Sequence, residues 1–247
     1  MPESIQDVES QAVVQARGVN FWFGEGELQR QILFDVEFAI QPGEVVLLTG
    51  ESGSGKTTLL TLIGALRTLT DGSMTVLGQE LLHANAATLV AIRRKIGFIF
   101  QAHNLLPHLS ALDNARLPLE LSPEISREEG IERASALLTS VGVGHRMHAF
   151  PSRLSGGEKQ RVAVARSLMG HPDLILADEP TSALDSRTGR EVIELLVNLS
   201  RGRGVPILIV SHDARIFDLT DRAIHMEDGR ILSAGWPGHR GVAQTLL

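Results

Sequence analysis

The feature that most limits what this chain can fold into is the run Gly50-Glu-Ser-Gly-Ser-Gly-Lys-Thr-Thr58, which follows the apolar stretch EVVLLT and precedes the helical stretch LLTLIGAL. A G-x-x-x-x-G-K-T pattern has chemical meaning in that strand-loop-helix context, where loop amides and a helix N-terminus can point at one anion. Gly50, Gly53 and Gly55 let the backbone curl until its N–H groups converge on the β- and γ-phosphates of a nucleotide. Lys56 adds a full charge, and Thr57 offers a hydroxyl to Mg²⁺. Ser52, Ser54 and Thr58 belong to the same cradle. The implied ligand is ATP or GTP. Glu51 is out of place, because a carboxylate repels phosphate, so it is expected to face solvent or a partner chain.

A strand that feeds a helix through such a loop also sets the architecture. Apolar runs at 44–49, 96–100, 173–177 and 205–210 read as strands buried on both faces, the mark of a parallel α/β sheet. The runs at 13–19 and 32–40 differ: the second alternates as ILFDVEFAI before the turn Gln41-Pro42-Gly43, which predicts an antiparallel sheet beside the parallel one. From about 102 to 165 helical patterns take over. Ser126-Arg-Glu-Glu reads as a helix start, with Ile131, Ala134, Leu137, Leu138 and Val141 as its apolar stripe. The expectation is one compact unit over 12–235 carrying an inserted helical subdomain, with flexible tails at 1–11 and 236–247.

A second chemical signal is Leu174-Ile-Leu-Ala-Asp-Glu, an apolar strand ending in two carboxylates that a strand turns to different sides. Asp178 is expected to hold Mg²⁺ through a water, and Glu179 to orient and polarise the attacking water. Composition narrows the partners. The chain of 247 residues has no cysteine, which excludes disulfides and thiolate metal sites, and its net charge of -6 argues against nucleic acid as a ligand. Residues 1–11 lack the pattern of a signal peptide, and no apolar run approaches the ~18 residues needed to span a bilayer, so a soluble, cytoplasmic chain is expected.

The stretch Leu154-Ser-Gly-Gly-Glu158, continuing as KQRVAVARSL, resembles the signature of the ABC ATPases. Ser155, Gly156 and Gly157 at a helix start make a further anion site. In the family it closes, together with Glu158, on the γ-phosphate held by the opposite subunit. The resemblance implies a P-loop, RecA-like core and gives roles to other positions. Gln101 resembles the glutamine that senses Mg²⁺ and the position of the helical subdomain. Ser182-Ala-Leu-Asp185 resembles the loop crossing the dimer interface. His212 resembles the switch histidine, making Glu179, His212 and Lys56 the catalytic set. For adenine stacking the family uses an aromatic upstream of the loop; Trp22 is expected first and Phe23 second, in a chain without tyrosine.

Longer stretches, among them GEGELQRQILFDVEFAIQPGE and IRRKIGFIFQAHNLLPHLSALDN, resemble the DevA type of exporter ATPase, close to MacB and LolD. That likeness implies ATP and Mg²⁺ as cofactors, a second copy of the chain in a head-to-tail dimer, and an integral-membrane permease at the inner face of the membrane. It also implies a membrane-fusion protein and outer-membrane channel in the full complex, and glycolipid or related cargo. Two alternatives stand beside it. One is a membrane-free ABC ATPase of DNA repair, chromosome structure or translation, which usually carries coiled coils, zinc modules or fused cassettes. The other is a P-loop kinase or GTPase, which would leave LSGGE and His212 unexplained.

Overall fold

The computed structural model describes residues 12–24, 26–121, 125–182 and 184–235. The tails expected at 1–11 and 236–247 lie outside the described residues. Two sheets form, as the two kinds of apolar pattern require. The first is antiparallel, in the order β2-β1-β4-β5, from β1 (Val14–Phe23), β2 (Arg30–Ile40), β4 (Asp71–Val76) and β5 (Gln79–Glu80). The second runs β10-β9-β3-β8-β7-β6, from β3 (Val45–Thr49), β6 (Ile96–Ile99), β7 (Leu174–Asp178), β8 (Ile207–Val210), β9 (Arg222–Glu227) and β10 (Arg230–Gly235). Its members pair in parallel except for β10, which returns antiparallel to β9 at one edge.

Side-chain alternation splits the core in two. On β3, β7 and β8, residues Val46, Leu48, Leu176, Leu208 and Val210 face one cluster with α1 (Lys56–Ile63) and the antiparallel sheet. Their neighbours Val45, Leu47, Ile175, Ala177, Ile207 and Ile209 face the other cluster. That cluster takes in α3 (Ala111–Arg116), α4 (Arg127–Ser140), α5 (Gly156–Met169) and α6 (Ser186–Arg201), whereas Ile92 of α2 (Ala86–Arg94) packs into the first. Burying a strand on both faces leaves no polar side, which is why these strands read as unbroken apolar runs.

The helical region forms where helix-start chemistry dictates. The Ser126 hydroxyl accepts the N–H of Glu129 to open α4, and Ala134, Leu138 and Val141 are buried. Ile131, placed on the same stripe by spacing, is instead 37% exposed. The helices are held tightly to the sheet: a Cβ on Gly97 of β6 would lie 2.4 Å from the Ser167 carbonyl oxygen of α5. Only glycine permits that approach. A half-buried ion pair ties the start of β9 to the residue before its neighbour β3, Arg222 Nε standing 2.8 Å from Glu44 Oε1.

Candidate nucleotide-binding site

The loop after β3 is shaped by what it passes. Gly50 has φ 144°, and a Cβ there would lie 2.0 Å from the Met226 carbonyl oxygen of β9, so no other residue fits. Gly55, with φ 100°, is the N-cap of α1. The loop and the ends of β1, β2, β6, β7 and β8 enclose a cavity of about 730 Å³. Phe23, Ile32, Gly50, Glu51, Ser52, Gly53, Gly55, Lys56, Thr57, Thr58, Gln101, Glu179 and His212 line it.

Lys56 is buried, and its ammonium donates to the carbonyl oxygens of Gly50 at 2.8 Å and Glu51 at 2.6 Å and to Ser54 Oγ at 3.3 Å. Burial holds its pKa below the ordinary lysine range, against the opposing pull of the Glu179 and Asp178 charges. Behind it, Thr57 Oγ1 donates to Asp178 Oδ1 at 3.2 Å. Burial pushes the Asp178 carboxyl up and the Glu179 charge adds to that, while the Thr57 hydroxyl and Lys56 draw it down; the net direction is up. A hydroxyl beside one buried carboxylate is a hard-oxygen pair of the kind that suits Mg²⁺ once phosphate oxygens and water complete the shell.

Glu179 sits where the second half of the site converges. Gln101 Nε2 donates to its Oε2 at 3.4 Å, and His212 Nδ1 lies 3.5 Å from its Oε1. The strand ends at Asp178, and Glu179 takes φ 42°, the left-handed region, with its N–H on the Val210 carbonyl. The two carboxylates are therefore separated by a backbone turn as well as by strand alternation. A non-glycine residue in that region is held there by its surroundings, a strain that concentrates at functional sites. His212 does not pair with its neighbour Asp213, whose carboxylate caps the following turn and binds Arg215 at 2.7 Å.

Several expected residues lie elsewhere. Phe23, and not Trp22, lines the cavity. Phe21 and Phe23 meet edge to face at 5.1 Å, and strand alternation turns Trp22 away from them. Ser54 is buried beneath the loop, where its carbonyl accepts the N–H of Gly229. Asp178 lies behind Thr57 rather than in the cavity wall. Glu51 is exposed although it borders the cavity. Ile32, for which the sequence held no signal beyond apolar alternation, contributes a wall.

Ser155, Gly156, Gly157 and Glu158 do not line this cavity. They open α5, where the Ser155 hydroxyl accepts the Glu158 N–H at 3.2 Å and Glu158 Oε2 accepts the Ser155 N–H at 2.8 Å. The Ser155 amide, then burial acting the other way, then Arg146 set the Glu158 carboxyl below its usual range. Its carboxylate is occupied in holding the helix start, not free for a ligand.

Comparison with known proteins matches these features. A family model described as ABC transporter matches residues 33–182. An uncharacterized ABC transporter ATP-binding protein of Mycobacterium tuberculosis is 40% identical over 225 residues, 91% of this chain and 90% of that protein. The macrolide export ATP-binding/permease protein MacB of Rhodopirellula baltica is 42% identical over 89% of this chain, which spans 32% of MacB. Among solved structures, the ATP-binding cassette MJ0796, dimeric in a post-hydrolysis state with ADP and Pi, gives a TM-score of 0.84 at 37% identity, covering 90% of this chain and 98% of that one. The cbiO1 protein of Clostridium perfringens, part of the transporter complex cbiONQ, shares the fold with a TM-score of 0.82 at 24% identity over 92% of this chain and 89% of its own.

The buried Asp178 makes a pH-dependent prediction. A carboxyl whose folded pKa is raised binds its proton in the native state at pH values where the unfolded chain, near the ordinary value of about 4, has lost it. Stability therefore falls as pH rises through that window, and the full cost remains at neutral pH. Without nucleotide, Asp178→Asn is expected to unfold at higher denaturant than wild type at pH 7, with the gain shrinking as pH is lowered through the raised pKa towards 4. An equal gain at every pH, or a loss at pH 7, would contradict the assignment.

Proposed function

This chain belongs to the ABC transporter family and is its ATP-hydrolysing cassette; from that premise we propose that it is the motor subunit of an exporter, acting as a head-to-tail pair beneath a separate membrane permease. The observation that carries the proposal is the division of the site. One cavity gathers Lys56, Thr57, Gln101, Glu179 and His212, while the Ser155–Gly157 anion site at the start of α5 stands outside it. A second copy supplies the missing half most simply, because a head-to-tail arrangement sets each loop against the other chain's helix start. The dimeric cassette MJ0796 supports this reading.

In that pair, Lys56 exchanges its loop carbonyls for the β- and γ-phosphate oxygens, and the loop amides with the α1 N-terminus take up the remaining charge. Thr57 and Asp178 are the residues that would hold Mg²⁺, which supplies charge neutralisation across the phosphates when bound. Glu179 accepts a hydrogen bond from the attacking water and orients it for in-line displacement; Gln101 and His212 fix the two oxygens of its carboxylate. Phe23 presents a ring to the adenine, for which a flat π-face suffices. Closure of two such sites and their reopening after hydrolysis would drive the permease.

Among the described residues no helix is long and apolar enough to cross a membrane; the separate permease rests on the DevA-like stretches. The relative named ATP-binding/permease protein, of which this chain spans 32%, joins both activities in one chain. Export rests on that relative's name and on the DevA-like stretches, which also point to glycolipid or related cargo and to a membrane-fusion protein and outer-membrane channel in the assembly.

Glu179→Gln is expected to lower ATP turnover by about 100-fold or more while leaving ATP binding intact, and to elute as a dimer when ATP and Mg²⁺ are present. Turnover near the wild-type rate would remove Glu179 from the catalytic role. Isolation from native membranes should recover the chain with an integral-membrane protein identified by mass spectrometry. Recovery solely on ribosomes or DNA would overturn the transport reading.

A further inference from the structure

Phe23 is held in an unusual way. Its ring packs edge to face with that of Phe21, the centroids 5.1 Å apart, and the Arg67 guanidinium lies over the Phe23 ring, 4.4 Å from its centroid. Arg67 belongs to the loop after α1 and, unlike Phe23, is not among the residues that line the nucleotide cavity. It is also tied to the phosphate-binding helix: Arg67 Nε donates to Thr61 Oγ1 at 3.1 Å, and that hydroxyl donates to the Thr58 carbonyl at 2.9 Å. Thr58 is itself in the cavity wall. A continuous path of contacts thus runs from the phosphate end of the site, through α1, to the aromatic ring on a different sheet.

We propose that Arg67 is a positioning residue for the nucleotide base: it clamps the Phe23 ring against α1 so that the ring's other face stands in register with the phosphate loop. The need follows from the residue type. A tyrosine in this position could anchor itself through its hydroxyl, whereas a phenylalanine on a bulged strand end has no polar handle. A planar guanidinium stacked on one face supplies the lost anchor through cation–π contact, and its Nε–H bond to Thr61 fixes the height of the ring relative to the phosphates. Arg67 is exposed, so its side chain forgoes rotational freedom to hold this pose, as a residue with a task at the ring would.

The proposal rests on the reading of Phe23 as the base-stacking residue, and one set of measurements separates the two. Steady-state ATPase constants are taken for the full-length wild type, Phe23→Ala, Arg67→Ala, Arg67→Lys and the Phe23→Ala/Arg67→Ala double variant. Inhibition by inorganic tripolyphosphate, which carries the phosphates without a base, is measured alongside. Arg67→Ala is expected to raise the KM for ATP about 3-fold to 10-fold with kcat within about 2-fold of wild type. Tripolyphosphate inhibition should be unchanged, Arg67→Lys should restore part of the loss, and the double variant should be no worse than Phe23→Ala alone. An unchanged or lower KM in Arg67→Ala overturns the proposal, the lower value meaning that the arginine shields the ring from the base. Equal weakening of tripolyphosphate also overturns it, since the change would then act on the phosphate loop. If Phe23→Ala leaves the KM for ATP unaltered, it is the base-stacking reading that fails, and the proposal falls with it.

Discussion

The structure turns on a lysine ammonium held by the carbonyls of its own loop. Lys56 is buried with its charge resting on Gly50 and Glu51, and burial depresses its pKa. A buried cation that depends on backbone oxygens is an incomplete arrangement; phosphate oxygens are stronger partners, since both sides of the contact then carry charge. The loop can take this form because Gly50 passes within contact of the Met226 carbonyl, where a side chain has no room. The site is thus shaped by β9, a strand distant in sequence that pairs in parallel with β3.

Around that loop, each carboxylate has a distinct environment. Asp178 ends its strand buried under Thr57, with its pKa raised, whereas Glu179 is turned by a left-handed residue towards Gln101 and His212. The same strands, by burying alternate side chains against two layers, fix the helical layer that carries Ser155 to the sheet that carries the loop. At Gly97 the backbone of α5 packs closely on β6.

Much of this was legible in the sequence, because short motifs here are constrained by local geometry. The loop, the central strands, the antiparallel pair at 14–40 and the helix starts at Ser126 and Ser155 follow from glycine placement, apolar runs and capping residues. What was not legible depends on register and on tertiary crowding. Trp22 and Phe23 are indistinguishable by composition, and which faces the cavity is decided by bulges in β1 between Val19 and Trp22. Ser54 sits in the motif yet is buried, its carbonyl accepting the Gly229 N–H, and Ile131 keeps its helical phase yet stays 37% exposed. The Arg67 contact with Phe23 joins residues far apart in the chain and has no motif at all.

The central claim is that a working site draws its phosphate loop from one copy and its Ser155 helix start from another. It is tested most directly by mixing two inactive variants, Lys56→Ala and Ser155→Arg, and measuring ATP hydrolysis. A mixed pair contains one site with both halves intact, so the mixture should recover activity that neither variant shows alone. If the mixture stays as inactive as its components while the two chains are shown to associate, each site is not shared between copies as proposed, and the account is contradicted.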